Sequence, residues 1–291
     1  MIYRLLQRKR QRTVWHYSGY FYGMLLIGLS AIIEVSADAS EVNQSRGSQD
    51  IKWDRLGKLR VYKKTSCTAT LVAPNLIVSA AHCVFDRDSN AYVSPHKLLF
   101  YAGLKGNDIK AKVKIKRYTV PSKTFPTGQF TENALLIDWV VLELERPIGC
   151  TLGSFPLWDQ QVGAINKLIT AGYASGNFTQ LTQTDTCESA VPRSDSTMWR
   201  LKNCALKKGD SGAPILVQIK GQAEPYIAGV ISAGANDSRG RFRVVAVPVE
   251  QFTNTVNNKA ISCKQPIFLV LLWNVKIVFL RSLTASIPSF H

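Results

Sequence analysis

Histidine is scarce in this sequence, which holds four in 291 residues, and none of its six cysteines forms a CxxC pair. That shortage argues against a zinc site, whose Cys and His ligands come in close pairs. No internal repeat is present, so a repeat architecture is excluded. Helical periodicity is almost missing: Pro248–Lys259, with Val249, Phe252 and Val256 at helical spacing, is the one good candidate. Acids are nearly absent from both ends. Residues 1–37 carry Arg4, Arg8, Lys9, Arg10 and Arg12 against Glu34 alone, and no acid opposes Lys259, Lys264, Lys276 and Arg281. Each end thus holds +4 of the net +16, leaving 27 basic against 19 acidic residues over 38–258. A surplus of that size favours acidic surfaces or substrates. It forms no organised stripe with interleaved aromatics, so nucleic acid is not an expected partner and the bland reading is a solvated basic face.

What is present describes an exported, folded protein. Apolar residues make up 46% and charged residues 19%, enough for one large or two small domains with a core. Residues 1–37 read as a signal. A basic start is followed by apolar Tyr20–Ile33 and by small-residue cleavage sites at Val35-Ser36-Ala37 and Ala37-Asp38-Ala39. Trp15–Ile33 is also long enough for an uncleaved signal anchor. Either way the remainder lies outside the cytoplasm, secreted or periplasmic, or membrane-anchored if the signal stays. Six cysteines fit such an oxidising compartment, and their spacing alone leaves the pairing open. Residues 38–50 form a polar, mobile leader. At the other end, residues 264–291 are an apolar basic tail, in which Lys276 interrupts a run too short for a good span. A buried strand, a peripheral appendage, an extension with no role and a membrane contact are its readings.

Between the ends, short apolar runs alternate with Gly, Pro, Asn and Asp. They include Leu59–Tyr62, Thr68–Val72, Leu76–Ser79, Lys97–Tyr101, Trp139–Leu144, Lys167–Gly172, Pro214–Val217, Ile227–Ile231 and Arg243–Val247. Lys112–Lys116 alternates strictly and predicts a strand with one wet face. Many short punctuated strands predict an all-β sandwich or barrel.

Gly209-Asp210-Ser211-Gly212 holds a serine on a tight glycine turn, which is a nucleophile only if a base can reach it. Ser79-Ala80-Ala81-His82-Cys83 supplies that base, since His16, His96 and His291 stand in no comparable motif. Asp138 leads Trp139-Val140-Val141-Leu142 and offers the carboxylate that fixes the imidazole, with Val140, Leu142 and Leu144 on one face. Asp86, Asp88 and Asp108 are rival carboxylates that lead no strand. Each element has a bland reading: a core histidine beside a structural cysteine, a strand-edge cap and an ordinary turn. Together they stand in the order His, Asp, Ser, one of the few in which a catalytic triad assembles. The amides of Gly209 and Ser211 are the candidate oxyanion donors.

Ser66–Val72, Leu76–Cys83, Phe100–Gly103, Asp138–Leu142, Ala171–Tyr173, Lys208–Pro214 and Gly229–Gly234 together resemble the trypsin/chymotrypsin-like serine proteases, most closely the bacterial secreted V8-like branch. The resemblance covers 51–263. It implies two six-stranded antiparallel β-barrels, about 51–155 and 156–250, a short C-terminal helix and a site in the cleft between the barrels. It implies His82 as base, Asp138 as its orienter and Ser211 as nucleophile, and Ser232, Ala233 and Gly234 as the edge that pairs with substrate backbone. It also implies disulfides Cys67–Cys83 and Cys187–Cys204, with Cys150 and Cys263 remaining.

Two departures stand out. Ala205 occupies the pocket position where cleavage after Arg or Lys needs an aspartate, and Ile231 stands where glutamate-specific relatives place a histidine. An apolar or small residue before the cut is the remaining preference. No basic residue followed by Ile-Val-Gly-Gly precedes Cys67, so Asp210 lacks the usual activating amino terminus. Lys207 and Lys208 at the rim read as solvated lysines. The expected protein is a monomeric secreted serine endopeptidase acting on proteins or peptides without metal or cofactor. The alternatives are a silent protease-fold binding protein or a membrane-associated interaction protein using the ends.

Overall fold

The structure is a computed structural model that describes residues 51–61, 66–126, 131–159, 163–176, 178–184, 187–190, 198–204, 206–236 and 242–263. The signal or anchor, the leader, the tail and Ala205 lie outside the described residues.

The first half contains β1 (Leu56–Val61), β2 (Ser66–Ala73), β3 (Leu76–Ser79), β4 (Phe85–Asp86), β5 (Ala91–Tyr92), β6 (Leu98–Ala102), β7 (Ala111–Thr119) and β8 (Val140–Leu144). All but the β4–β5 pair close into an antiparallel six-stranded barrel in the order β1-β2-β3-β8-β7-β6. On β7 the alternation in the sequence is realised: Val113 and Ile115 are buried inside while Lys112, Lys114 and Lys116 face water. On β8 every residue is buried, because Val140, Leu142 and Leu144 fill the barrel while Val141 faces the second half.

The second half contains β9 (Ile165–Gly172), β10 (Thr182–Thr184), β11 (Glu188–Ala190), β12 (Trp199–Lys202), β13 (Pro214–Ile219), β14 (Tyr226–Asn236) and β15 (Phe242–Pro248). They form one seven-stranded antiparallel sheet in the order β10-β9-β13-β14-β15-β12-β11. The fold is thus the expected all-β one, with a closed barrel followed by a curved half-barrel sheet. The C-terminal helix lies at Glu250–Lys259, two residues inside the predicted bounds. Two shorter helices that the sequence pattern did not reveal, Glu132–Leu136 and Gly149–Leu152, flank β8. We number these three helices α1, α2 and α3 in chain order. Among the described residues no helix is long and apolar enough to cross a membrane.

The halves meet over a hydrophobic seam. Leu56, Leu76 and Trp139 from the first half pack with Phe155, Leu216 and Phe252 from the remainder. Buried Arg55 spans the same seam, reaching Glu224 with both guanidinium nitrogens while its charge lies 5.0 Å from the Phe155 ring centre. Three disulfides join Cys67 to Cys83, Cys187 to Cys204 and Cys150 to Cys263. They mark an extracytoplasmic protein.

Cys150–Cys263 ties α2 to the residues just beyond α3 and closes a loop of 113 residues. Long loops gain most from closure in the chain-entropy picture, so the Cys150→Ala/Cys263→Ala variant should lose about 2–5 kcal/mol. Urea unfolding of the oxidised proteins measures it, and an unchanged midpoint would contradict the role.

Candidate active site

His82 lies on a single 3-10 turn, Ala81–Val84, that leaves the end of β3. Its backbone N–H donates to Asp138 Oδ1 at 2.8 Å, and its ring Nδ1 lies 2.8 Å from Asp138 Oδ2. A carboxylate only accepts, so Nδ1 carries a proton, and in the neutral ring Nε2 keeps its lone pair. The Ser232 hydroxyl donates to the same Oδ2 from β14. Three donors therefore hold a carboxylate that is 1% exposed, as burial of a charge requires. Asp138 does not lead β8 as the sequence suggested. It sits two residues earlier, where its N–H donates to Leu135 O at the end of α1. Thr131 caps that helix by accepting from the Ala134 N–H.

The Ser211 loop needs glycine at both flanks. Gly209 (φ 101°) and Gly212 (φ 77°) adopt left-handed backbone angles. A Cβ on Gly212 would come within 2.1 Å of Ser79 Oγ and 2.4 Å of Thr68 O, so the loop packs directly on the strands that present His82. Thr68 of β2 makes the tie. Its N–H donates to Ser211 O at 2.9 Å and its hydroxyl donates to Gly209 O at 3.0 Å. The same hydroxyl accepts from the Tyr173 N–H at 2.9 Å, and Thr68 O accepts from Ser79 Oγ at 2.7 Å. The N–H groups of Gly209 and Ser211 have no hydrogen-bond partner among the described residues. Among the described residues no hydrogen bond joins the Ser211 hydroxyl to the His82 ring, a contact often long in ligand-free sites.

Electrostatics favour a charged His82. Burial pushes its pKa down, but the Asp138 charge and hydrogen bond more than reverse this, leaving it above the ordinary 6.5. The imidazolium–carboxylate pair thus adds stability that is complete below 6.5 and lost as pH rises through the higher folded value. The neutral imidazole becomes the major form only above that folded value. Asp210 is 5% exposed, and burial raises its pKa against the opposing pull of Lys207. Its partner is local: the Lys207 N–H donates to Oδ2 at 2.8 Å. A cavity of about 430 Å³ lined by Gly172, Ala174, Ser175, Thr182 and Leu206 opens beside it.

Ser232, Ala233 and Gly234 run from buried to exposed along β14. β13 pairs with β14 only over Tyr226–Val230, and β15 covers the other side of Ala233 and Gly234. Among the described residues one backbone edge of this segment therefore meets no strand. Ile231 is buried. The rival groups lie elsewhere: Asp86 caps its own turn through the Asp88 N–H, Asp108 forms a backbone bridge with Lys105 in the β6–β7 connection, and exposed His96 meets Ser94. Cys67, Cys83 and His82 cluster within 4.8 Å, but both sulfurs are spent in the disulfide and offer no thiolate to a metal.

The sequence reading missed Thr68 and the bond from Ser232 to Asp138. A signal for the first existed: Thr68, like Thr70, is a polar residue inside Ser66–Ala73, a strand that is mostly buried and largely apolar. Thr68→Val keeps the shape but strips Gly209 O and Tyr173 N–H of a buried partner, at about 1–3 kcal/mol for each group. The variant should be less stable in urea by that order and show weakened turnover, while Thr68→Ser should restore both. Equal behaviour of wild type and Thr68→Val would contradict the tie.

Comparison with known proteins agrees with this geometry. The profile of the family described as Trypsin matches residues 42–256. A glutamyl endopeptidase of Bacillus licheniformis is 26% identical over 204 residues, covering 67% of this chain and 60% of that protein. The chain thus spans less than two thirds of that relative. Among solved structures, a Glu endopeptidase in complex with MPD superposes with a TM-score of 0.55 at 22% identity, over 71% of this chain and 90% of that one. A thermostable serine protease from an extremophilic microorganism gives 0.56 at 14% identity, over 72% and 97%. With the barrel, the half-barrel and the buried His–Asp pair in place, the chain belongs to the trypsin-like serine protease family and is similar to its V8-like members.

Proposed function

We propose that this chain is an exported serine endopeptidase, with its protease domain over 51–263, that cleaves peptide bonds through an acyl-enzyme. The observation that carries the reading is the pair of hydrogen bonds from His82 to buried Asp138, which leaves Nε2 of the neutral, partly exposed ring as an acceptor. In this mechanism Ser211 Oγ attacks the scissile carbonyl as Nε2 takes its proton. Asp138 stabilises the imidazolium that forms, and the amides of Gly209 and Ser211 receive the oxyanion. The tetrahedral intermediate then collapses: His82 returns the proton to the leaving amine, and water repeats the sequence on the ester. Ser232–Gly234 offers its free backbone edge to the substrate as an added strand.

The relative from B. licheniformis is a glutamyl endopeptidase. Buried Ile231 at the position of the glutamate-reading histidine supports a different preference, for a small or apolar residue before the cut. The protein acts as a monomer on proteins or peptides, secreted or held at the membrane by its N-terminal segment. The missing Ser211–His82 hydrogen bond keeps one rival reading, a silent protease-fold binding protein.

Fluorophosphonate labelling of the purified mature protein separates the two. Wild type should label, Ser211→Ala should not, and the wild-type rate should rise with pH with a midpoint above 6.5. Asp138→Asn should slow the reaction by about 10³–10⁴, the order typical of this triad. Folded, oxidised wild type that stays unlabelled would make the silent reading correct.

A further inference from the structure

The outer face of the first barrel carries a feature that the chemistry does not use. Strand register places Lys58 of β1, Tyr101 of β6 and Lys112 of β7 in one row, and Arg60, Leu99 and Lys114 in the next. Their sequence neighbours Leu59, Phe100 and Val113 point into the barrel, so these six share the outward face. Adjacent strands lie about 4.8 Å apart and alternate residues about 7 Å apart, so four cations stand at the corners of a patch of roughly 7 by 10 Å. Tyr101 sits between them: Arg60 Nη1 donates to its hydroxyl at 3.3 Å and Lys112 Nζ lies 5.6 Å from its ring centre.

Among the described residues none of Lys58, Arg60, Lys112 and Lys114 forms an ion pair. Glu143 on the next strand is already occupied by Lys116 at 3.2 Å and Arg117 at 2.6 Å, and Glu145 pairs with none of the four. Crowded like charges oppose folding. Burial and then the Arg60 charge lower the Lys58 pKa, so this repulsion is felt within the patch.

The patch also adjoins the nucleophile loop. Lys58 Nζ lies 5.2 Å from the Phe178 ring centre, and that ring's Cε1 is 3.2 Å from where a Gly209 Cβ would sit. The β6–β7 connection reaches the same turn, as the Gly106 N–H donates to Thr179 O at 2.7 Å. Tyr173, whose hydroxyl donates to Leu104 O, approaches Gly209 from the same side. One turn of the second half thus separates the cationic sheet from the oxyanion donors.

We propose that the outer face of β1–β6–β7 is an exosite for an acidic segment of the protein substrate whose scissile bond lies in the cleft. The proposal rests on the proteolytic reading. Unpaired cations supply the complementarity, and continuity with the nucleophile loop selects a carboxylate-rich stretch of the substrate itself. Such a patch raises productive encounter more than it alters chemistry, so its signature lies in kcat/KM, sensitive to salt.

Two measurements test it. The first is fluorescence anisotropy of a Glu-rich peptide on the full-length Ser211→Ala protein, which needs no turnover and so stands apart from the protease reading. Lys58→Gln/Arg60→Gln/Lys112→Gln/Lys114→Gln in that background should weaken binding by about ten-fold at low salt. A control that neutralises Lys123, Lys167, Lys220 and Lys259 should not. The second compares peptide substrates bearing a Glu-rich or a Gln-rich extension through Gly-Ser linkers on either side of the cleavage site. One Glu-rich arrangement should be cleaved with about ten-fold higher kcat/KM, an advantage lost in the four-fold variant and at high salt, while the Gln-rich substrates are unaffected. Equal loss in variant and control, or no Glu-rich advantage on either side, would overturn the exosite. Duplex DNA or phosphatidylserine vesicles binding the patch more tightly than the peptide would overturn its assignment to substrate.

Discussion

The burial of the Asp138 carboxylate is the constraint on which the rest of this structure depends. A charge removed from water is costly unless donors replace the lost hydration. Here they come from three places: a backbone amide and a ring nitrogen of His82 at the end of β3, and the Ser232 hydroxyl on β14. The first two belong to the barrel and the third to the half-barrel, so satisfying one charge fixes how the halves meet. Trp139, the next residue, packs against Phe252 of α3 and carries the same relationship into the hydrophobic seam. Removing the His82 or the Ser232 side chain would leave a buried charge with fewer donors than it needs.

The Ser211 loop is positioned by a second, neutral set of bonds from β2. Thr68 holds the carbonyls of Gly209 and Ser211, and Gly212 leaves no room between the loop and Ser79. Because β2 and β3 pair with each other and β3 leads to His82, one pair of strands places both His82 and the Ser211 loop. Among the described residues the amides of Gly209 and Ser211 have no partner, because the loop's carbonyls make its anchoring contacts. Asp210 completes the loop internally by accepting from Lys207, so its shape is held by a local bond.

Much of this was legible in the sequence. The alternation of Lys112–Lys116 and the nine apolar runs together marked ten of the fifteen described strands, and two of the three motifs named His82 and Asp138, which the structure joins. What escaped was either short or set by tertiary contact. β10 and β11, Thr182–Thr184 and Glu188–Ala190, are polar outer strands without an apolar signal, and β4 and β5 are two residues each. α1 is a single turn and a half, too brief for helical periodicity, and it moved Asp138 off the strand. Ser232 was expected at the substrate edge, and its bond to Asp138 was not legible because it spans 94 residues of sequence. The cationic face escaped for a similar reason: Lys58, Arg60, Lys112 and Lys114 look dispersed until strand register brings them into two rows.

The central claim is that Asp138 fixes both the tautomer and the basicity of His82. Nitrogen-15 NMR of the histidine-labelled, oxidised protein, followed as a function of pH, measures both at once. The account predicts a neutral His82 protonated at Nδ1, with a titration midpoint above 6.5 that falls in Asp138→Asn. A neutral ring protonated at Nε2, or a midpoint at or below 6.5, would contradict it.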